Sequence, residues 1–298
     1  MSKYNSSYAL DFKLYYVSLL FKNEDMICFP NAKINLGLNI ISKRTDGYHN
    51  IETVFYPITL ADALEIFPSN NRKAYRLFET GIKTDSKPQY NLVVKALLLL
   101  SKQKIIPNVD IHLLKNIPSG AGLGGGSSNA AFMLKLLNQT YSLGLTNEAL
   151  RQLAVEIGAD CPFFINNRPA FASNIGDELE EIDLSLDNYY FVLIKPAIAV
   201  STKVAYELII PKKPEVPLKE IVKKPIEEWN QLMHNDFEMP LTKKYPIIQK
   251  IKRSLYNNGA IYASMSGSGP SVYGFFKEKP STSLFDNFSE CFLWKNYL

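Results

Sequence analysis

The stretch Pro118-Ser119-Gly120-Ala121-Gly122-Leu123-Gly124-Gly125-Gly126-Ser127-Ser128 puts five glycines into seven positions and then runs into a segment of helical spacing. Residues without a Cβ let backbone N–H groups come close to an anion, and a helix that starts there adds the positive end of its dipole. That is the chemistry of a phosphate cradle. Ser127 and Ser128 can cap the helix and also bond phosphate oxygens, work that a merely flexible glycine turn would not need. Gly120-x-Gly122-x-x-Gly125 meets the dinucleotide fingerprint letter by letter, but the residues around Glu148, where a ribose-binding acid should close a second strand, read as helix. No Gly-Lys-Ser or Gly-Lys-Thr closes the loop, and no HRD or DFG element occurs, which removes the Walker-type and protein-kinase readings.

Two more positions could join such a loop in chemistry. From Asn31 the chain alternates, with Ile34, Leu36, Leu38 and Ile40 on one face of a strand and Lys33, Asn35, Gly37 and Asn39 on the other. A lysine that shares its face with an amide and a glycine describes the floor of a site better than a solvated exterior. Asp160 follows Gly158, a helix stop, and precedes the apolar run Cys161–Ile165. A carboxylate at the edge of a partly dry cleft is suited to accept the proton of an attacking hydroxyl. It is equally suited to cap the turn opened by Pro162, and the residues alone leave both readings open.

The elements that must position these groups are legible in outline. Thr45-Asp46-Gly47 is a hairpin-type turn, Tyr48 and His49 sit just past it, and Ile51–Ile58 reads as the returning strand. Asn91–Lys102 has helical spacing, Val109–Lys115 alternates, and Ser127–Tyr141 places Ala130, Leu134 and Leu137 on one helical face. Thr146 is an N-cap for a further helix that ends at Gly158. Beyond Phe171, Tyr189–Ile194 reads as a buried strand, Pro211–Lys224 as an exposed connection, and Leu241–Asn257 as a helix stopped by Gly259. Ala260–Met265 and Val272–Phe276 read as strands around a second glycine-containing loop, Ser266-Gly267-Ser268-Gly269-Pro270-Ser271. Strands and helices mix without βαβ alternation, so the expected class is α+β in two domains divided near residue 170.

Composition narrows the function. With 298 residues, 46% hydrophobic and 21% charged, the chain can build a real core and is no disordered scaffold. The net charge of +4 is spread along the chain without a basic tract, which suits an anionic small molecule no less than a polyanion. Cys28, Cys161 and Cys291 form no CxxC pair and leave one odd, so a reducing, cytoplasmic setting is expected. His49, His112 and His234 lie far apart in no metal-ligand arrangement. The apolar runs Leu14–Phe21 and Ala96–Leu100 are too short to cross a bilayer. The first of these is followed by Lys22-Asn23-Glu24-Asp25 with no cleavage site, and Met26 stands just before the first patterned segment, so residues 1–25 are expected to be an extension upstream of the true start.

Lys33-x-Asn35-Leu36, the Gly120–Ala131 loop and Ser266–Ser271 together resemble the GHMP family of small-molecule kinases. Asp46-Gly47-Tyr48-His49, Leu123–Ala131 and Gly158-Ala159-Asp160-Cys161-Pro162-Phe163-Phe164 are most similar to the members that act on a cytidine diphosphate alcohol. The resemblance runs from about Met26 to Phe276 and finds no counterpart for residues 1–25. It implies a ribosomal-S5-like domain over 26–170, a ferredoxin-like domain over 171–298, ATP with Mg²⁺ bridging its phosphates, and cytidine diphosphate methylerythritol phosphorylated on its 2-hydroxyl. It further implies that Asp160 is the catalytic base, that Lys33 holds it ionised and orients the hydroxyl, and that Asn35 bonds substrate. Tyr48 and His49 would contact the cytosine, with Tyr206 stacked on its face. Pro118, Gly120, Gly122, Leu123, Gly124, Gly125, Gly126, Ser127 and Ser128 would bind ATP, with Asn91 and Lys115 around its base.

Competing readings are a family member acting on homoserine or mevalonate, a non-catalytic protein of the same fold, and nucleic-acid binding driven by charge. Tyr48, His49 and Tyr206 argue against the first, since a small alcohol offers no base. Joint retention of Lys33 and Asp160 argues against the second, and the lack of a basic cluster against the third. The expected partner is a small molecule, with no nucleic acid or membrane, bound by a monomer or weak homodimer.

Overall fold

The computed structural model describes residues 26–83 and 88–298, so Leu14–Phe21 lies outside the described residues. The first half runs β1 (Ile27–Cys28), β2 (Asn31–Lys43), β3 (His49–Ala61), β4 (Ala63–Pro68), β5 (Tyr75–Gly81), α1 (Leu92–Leu100), β6 (Val109–Lys115), α2 (Gly125–Thr140), α3 (Asn147–Ile157), α4 (Cys161–Asn166), β7 (Ala170–Ser173) and β8 (Glu178–Glu181). The second runs β9 (Tyr190–Lys195), α5 (Thr202–Glu207), α6 (Leu218–Ile221), α7 (Ile226–Leu232), α8 (Glu238–Lys244), α9 (Pro246–Asn257), β10 (Tyr262–Met265), β11 (Val272–Phe276), α10 (Ser283–Asp286) and β12 (Phe292–Tyr297). Among the described residues no helix is long and apolar enough to cross a membrane.

Alternation gives the first-half sheet of β4 and β6 one face for burial, whereas β9, β10 and β11 are buried on both faces. In β1-β4-β6-β5, Leu64, Ile66, Ile111 and Leu113 point into a core shared with α1, α2, α3 and α4. Ala130, Leu134 and Leu137 of α2 are fully buried there, as the helical spacing predicts. The second-half sheet has the order β12-β9-β11-β10 with every pair antiparallel, the ferredoxin-like arrangement. Its aromatic face, with Phe191, Tyr262, Tyr273 and Phe275, closes on Ile34, Leu36, Val54 and Tyr56 of β2 and β3. The two halves are thus joined by a continuous apolar core.

The long β2–β3 pair departs from simple alternation at Gly37. Leu36 pairs with Val54, but Leu38 pairs with Thr53, so one residue is inserted on β2. Gly37 takes φ +63°, which suits glycine at a bulge. As a result Leu38 and Ile40 do not continue the Ile34–Leu36 face. They turn to the side that carries Lys33 and Asn35, and join the core under β9 and the second-half helices instead of the one shared with the aromatic sheet face. A period of two cannot survive an inserted residue.

Other expectations are corrected similarly. Leu241–Asn257 is two helices, because Pro246 has no N–H to donate and opens α9 at its first turn. The Pro211–Lys224 connection contains α6, which buries Leu218 and Ile221. Strands β7 and β8 extend the sheet to β2-β3-β7-β8, so that sheet continues past residue 170 and the crossing to the second half falls after Glu181.

A Cβ at position 37 would lie 2.7 Å from Leu218 Cδ1 and 2.9 Å from Met233 Cγ. Left-handed strain and overpacking together predict that Gly37→Ala lowers stability by about 2–4 kcal/mol. The measurement is the urea midpoint at constant m value; a wild-type midpoint would mean that the bulge tolerates a side chain.

Candidate active site

Strand β2 sets Lys33 and Asn35 side by side on one face. Lys33 Nζ donates to Asn35 Oδ1 at 2.7 Å, lies 3.2 Å from Asp160 Oδ2 and stands 4.5 Å from the centre of the Phe55 ring. Asn35 is fixed in turn, since its Nδ2 donates to Thr53 Oγ1 (2.9 Å), which donates to the Gly37 carbonyl (2.6 Å). The inserted glycine therefore supplies the last acceptor of the chain. Lys33 is 3% exposed, and a buried ammonium must be paired or it costs stability. Asp160 provides the charge. It precedes α4 and makes no side-chain cap bond to that helix, so its carboxylate faces Lys33 and the cleft; the capping alternative finds no support in the hydrogen bonding.

The glycine-rich loop is held against this pair from below. Lys33 N–H donates to the Leu123 carbonyl at 3.0 Å, so β2 carries the loop on its backbone. A Cβ at Gly124 would meet Phe164 at 2.9 Å and Lys33 Cε at 3.2 Å, and one at Gly122 would fall 2.0 Å from the Ser266 carbonyl oxygen. Both glycines have positive φ. The second glycine loop is thus in backbone contact with the first. Ser266 Oγ donates to the Gly122 carbonyl (2.8 Å) and accepts from Asn35 N–H (3.3 Å). Asn235 Nδ2 lies 2.8 Å from each of the Met265 and Gly267 carbonyls, holding the second loop in place.

The start of α2 corrects the expected serine cap. Gly124 occupies the cap position with no side-chain bond, while Ser127 and Ser128 fall inside the first turn. Ser128 Oγ is buried without a partner.

A cleft of about 220 Å³ is lined by Lys33, Asn35, Phe55, Gly120, Gly122, Gly124, Asp160, Ile175, Thr202, Tyr206, Phe237, Gly267, Ser268 and Gly269. Tyr206 would read as an exposed helical tyrosine from its sequence alone. Instead it stands edge-on to Phe237 (4.9 Å, 88°) and stacks on His49 (4.8 Å, 22°). Burial, then the charge of Asp160, pushes its phenol up to about 12, so it stays neutral. Burial, then the charge of Lys43, lowers the His49 imidazole, which favours the neutral ring at neutral pH. Tyr48 is exposed on the neighbouring turn, where its N–H donates to Asp46 Oδ1. Arg44 braces that turn by bonding Asp46 and Asn50, and reaches Asn174 beside Ile175.

Lys33, Asn35, Gly120, Gly122, Gly124, Asp160 and Tyr206 therefore meet in one cleft, with His49 laid on Tyr206. Asn91 and Lys115 do not line it. Asn91 caps α1 by accepting from Val93 N–H at 3.0 Å and donates to Glu79. Lys115 is neither solvated nor open to a nucleotide base: it is 4% exposed, beneath the loop, bound to Asp62 and Asn129. Pro118 and Leu123 are buried in the loop's base. Sequence reasoning missed Thr53, Asp62 and Asn235, because nothing local distinguishes a Thr, Asp or Asn that bonds across 16 or more positions.

Residues 91–168 match the model of the GHMP kinases N terminal domain, and residues 218–292 match that of the GHMP kinases C terminal. A 4-diphosphocytidyl-2-C-methyl-D-erythritol kinase of Parabacteroides distasonis is 54% identical over 273 residues, which cover 92% of this chain and 100% of the relative. The chain belongs to the GHMP kinase family. The enzyme of the same name from Bacteroides fragilis is 54% identical over 262 residues, 88% of this chain and 96% of its own length. The crystal structure of a 4-(cytidine 5'-diphospho)-2C-methyl-D-erythritol kinase superposes on this GHMP kinase with a TM-score of 0.76 at 30% identity, covering 91% of this chain and 98% of the other. The Methanococcus jannaschii mevalonate kinase, at 15% identity and a TM-score of 0.67 over 91% of this chain and 97% of its own, shares the fold.

Gly124→Val would drive two methyls into Phe164 and the Lys33 stem at a position with φ +68°. We expect ATP affinity to fall at least tenfold. Equilibrium titration with a fluorescent ATP analogue checks this, and an unchanged affinity would show that the anion is held elsewhere.

Proposed function

We propose that this GHMP kinase moves the γ-phosphoryl group of ATP to the 2-hydroxyl of 4-diphosphocytidyl-2-C-methyl-D-erythritol, with Lys33 and Asp160 as catalytic residues. The observation that carries the reading is the 3.2 Å pair of Lys33 and Asp160 at the point where β2 bonds the glycine-rich loop. Phosphoryl transfer asks little covalent work of a protein; it needs positioning and charge neutralisation. The free N–H groups of the loop and of the first turn of α2 face the phosphates. Lys33 directs the hydroxyl and stabilises charge on the transferred group, while Asn35 holds it in register and holds the substrate. Asp160 accepts the hydroxyl proton as the new oxygen–phosphorus bond forms.

Mg²⁺ suits this donor set. Among the described residues no group of three or more His, Cys, Asp or Glu side chains could cage a metal, and Mg²⁺ typically takes one or two protein oxygens plus substrate phosphates and water. Asp160, which lines the cleft, and the Ser127 hydroxyl, in the first turn of α2, are the protein oxygens that would hold it. When bound, the ion neutralises charge on the phosphates.

Tyr206 and His49 carry the substrate class. Tyr206 already accepts a flat heterocycle, the His49 imidazole, on its face, and a pyrimidine offers the same geometry with hydrogen-bonding edges for a neutral His49. Mevalonate and homoserine have no ring to use it. The expected result is ADP formation that depends on the cytidine diphosphate alcohol, with background turnover on mevalonate and homoserine; equal turnover on all three would contradict the reading. Tyr206→Ala should weaken the cytidine substrate by about 1–3 kcal/mol, roughly 5- to 150-fold in KM, and leave KM for ATP within about twofold. Equal losses for both would mean that Tyr206 serves no base.

A further inference from the structure

Asp62 is the single residue between β3 and β4, at the point where the chain passes from one first-half sheet to the other. It is 1% exposed, and its side-chain bonds go to the two ends of the phosphate loop. Its Oδ1 accepts the N–H groups of Asn116 (2.7 Å) and Ile117 (2.8 Å), where the chain leaves β6 for the loop. Its Oδ2 accepts Asn129 Nδ2 (2.8 Å), in the second turn of α2, and the Lys115 ammonium. Lys115 donates across to Asn129 Oδ1 at 2.9 Å, which closes a ring of three buried side chains. Backbone bonds fix the carboxylate's own position, since Asp62 N–H donates to the Pro30 carbonyl (2.9 Å) and Asn116 Nδ2 to the Ala61 carbonyl (3.1 Å).

We propose that Asp62, acting through Lys115 and Asn129, is a positioning residue that sets the spacing between the strand end and the helix start, and thereby the affinity for ATP. The inference rests on the reading of residues 118–124 as the phosphate cradle. The loop's glycines supply N–H donors but no stiffness, and a donor displaced by an ångström leaves the 2.7–3.2 Å range in which it bonds an oxygen. One carboxylate that grips both ends supplies the missing constraint. The ion pair adds no net charge beneath the phosphates, and a point on Gly125 where a Cβ would sit lies 3.6 Å from Lys115 Nζ, which places the ring directly under the first turn of α2.

The test compares Asp62→Asn, which keeps the shape and removes the charge, with the double variant Asp62→Asn/Lys115→Met, which leaves no buried ion unpaired. Each is measured for affinity toward a fluorescent ATP analogue, KM for the cytidine substrate and melting temperature, with Gly124→Val alongside. The expected result is at least a tenfold loss of ATP affinity in the single or the double variant while KM for the cytidine substrate stays within twofold. Unchanged ATP affinity in folded variants, equal weakening of both substrates, or failure of both variants to fold would overturn the assignment and leave the ring as core structure. If Gly124→Val weakens ATP and the Asp62 variants do not, this inference alone fails; if Gly124→Val is also without effect, the cradle itself is misplaced.

Discussion

The geometry of the site depends on one close approach. Gly122 in the first half and Ser266 in the second come so near that a Cβ on the glycine would overlap the serine carbonyl at 2.0 Å. Backbone meets backbone there, which lets two loops 144 residues apart in sequence form one wall. The Ser266 hydroxyl uses the contact twice, donating to Gly122 and accepting from Asn35. Tyr273 adds a third link from the second half, donating to the Asn35 carbonyl at 2.7 Å. Strand β2, the glycine-rich loop and the ferredoxin-like sheet are therefore fixed at a single point. The apolar core shared by the two sheets makes that point rigid.

Rigidity here serves an electrostatic arrangement. Lys33 is taken out of water and would be costly there alone, but Asn35 accepts from it, Asp160 pairs with it and the Phe55 ring faces it. Asp160 keeps about a third of its side chain exposed. One member of the pair is thus locked and the other can meet substrate. This asymmetry suits a reaction in which the cation positions and the carboxylate takes a proton. Tyr206 lines the same cleft with His49 stacked on it, and neither ring adds charge at neutral pH, which leaves the field at Asp160 to Lys33.

Much of this was legible in the residues because it is local. The glycine string, the alternation that aligns Lys33 with Asn35, and the Thr146 cap, whose hydroxyl accepts from Ala149 N–H, each need only a few neighbours. What the sequence conceals is what depends on distant partners or on a broken period. The bulge at Gly37 sends Leu38 and Ile40 to the opposite face, and no count of alternating residues shows an inserted one. Tyr206 becomes part of the site only because Phe237 and His49 enclose it from two other elements. Asp160 reads equally as cap or base in the residues alone, and only the fold shows that Lys33 comes to it from 127 positions away. Asp62 has no motif, and its four side-chain bonds reach residues that flank a loop more than 50 positions downstream.

In the proposed reaction Asp160 takes the substrate proton under the direction of Lys33. The most direct measurement is single-turnover transfer of γ-labelled phosphate by Asp160→Asn, with melting temperature and substrate affinities determined on the same protein. Removing a proton acceptor of this kind predicts a rate lower by roughly 10²–10⁴-fold, at unchanged melting temperature and with both substrates bound within a few-fold of the wild type. A transfer rate close to wild type in a fully folded Asp160→Asn would contradict it and leave Asp160 as no more than a partner for a buried lysine.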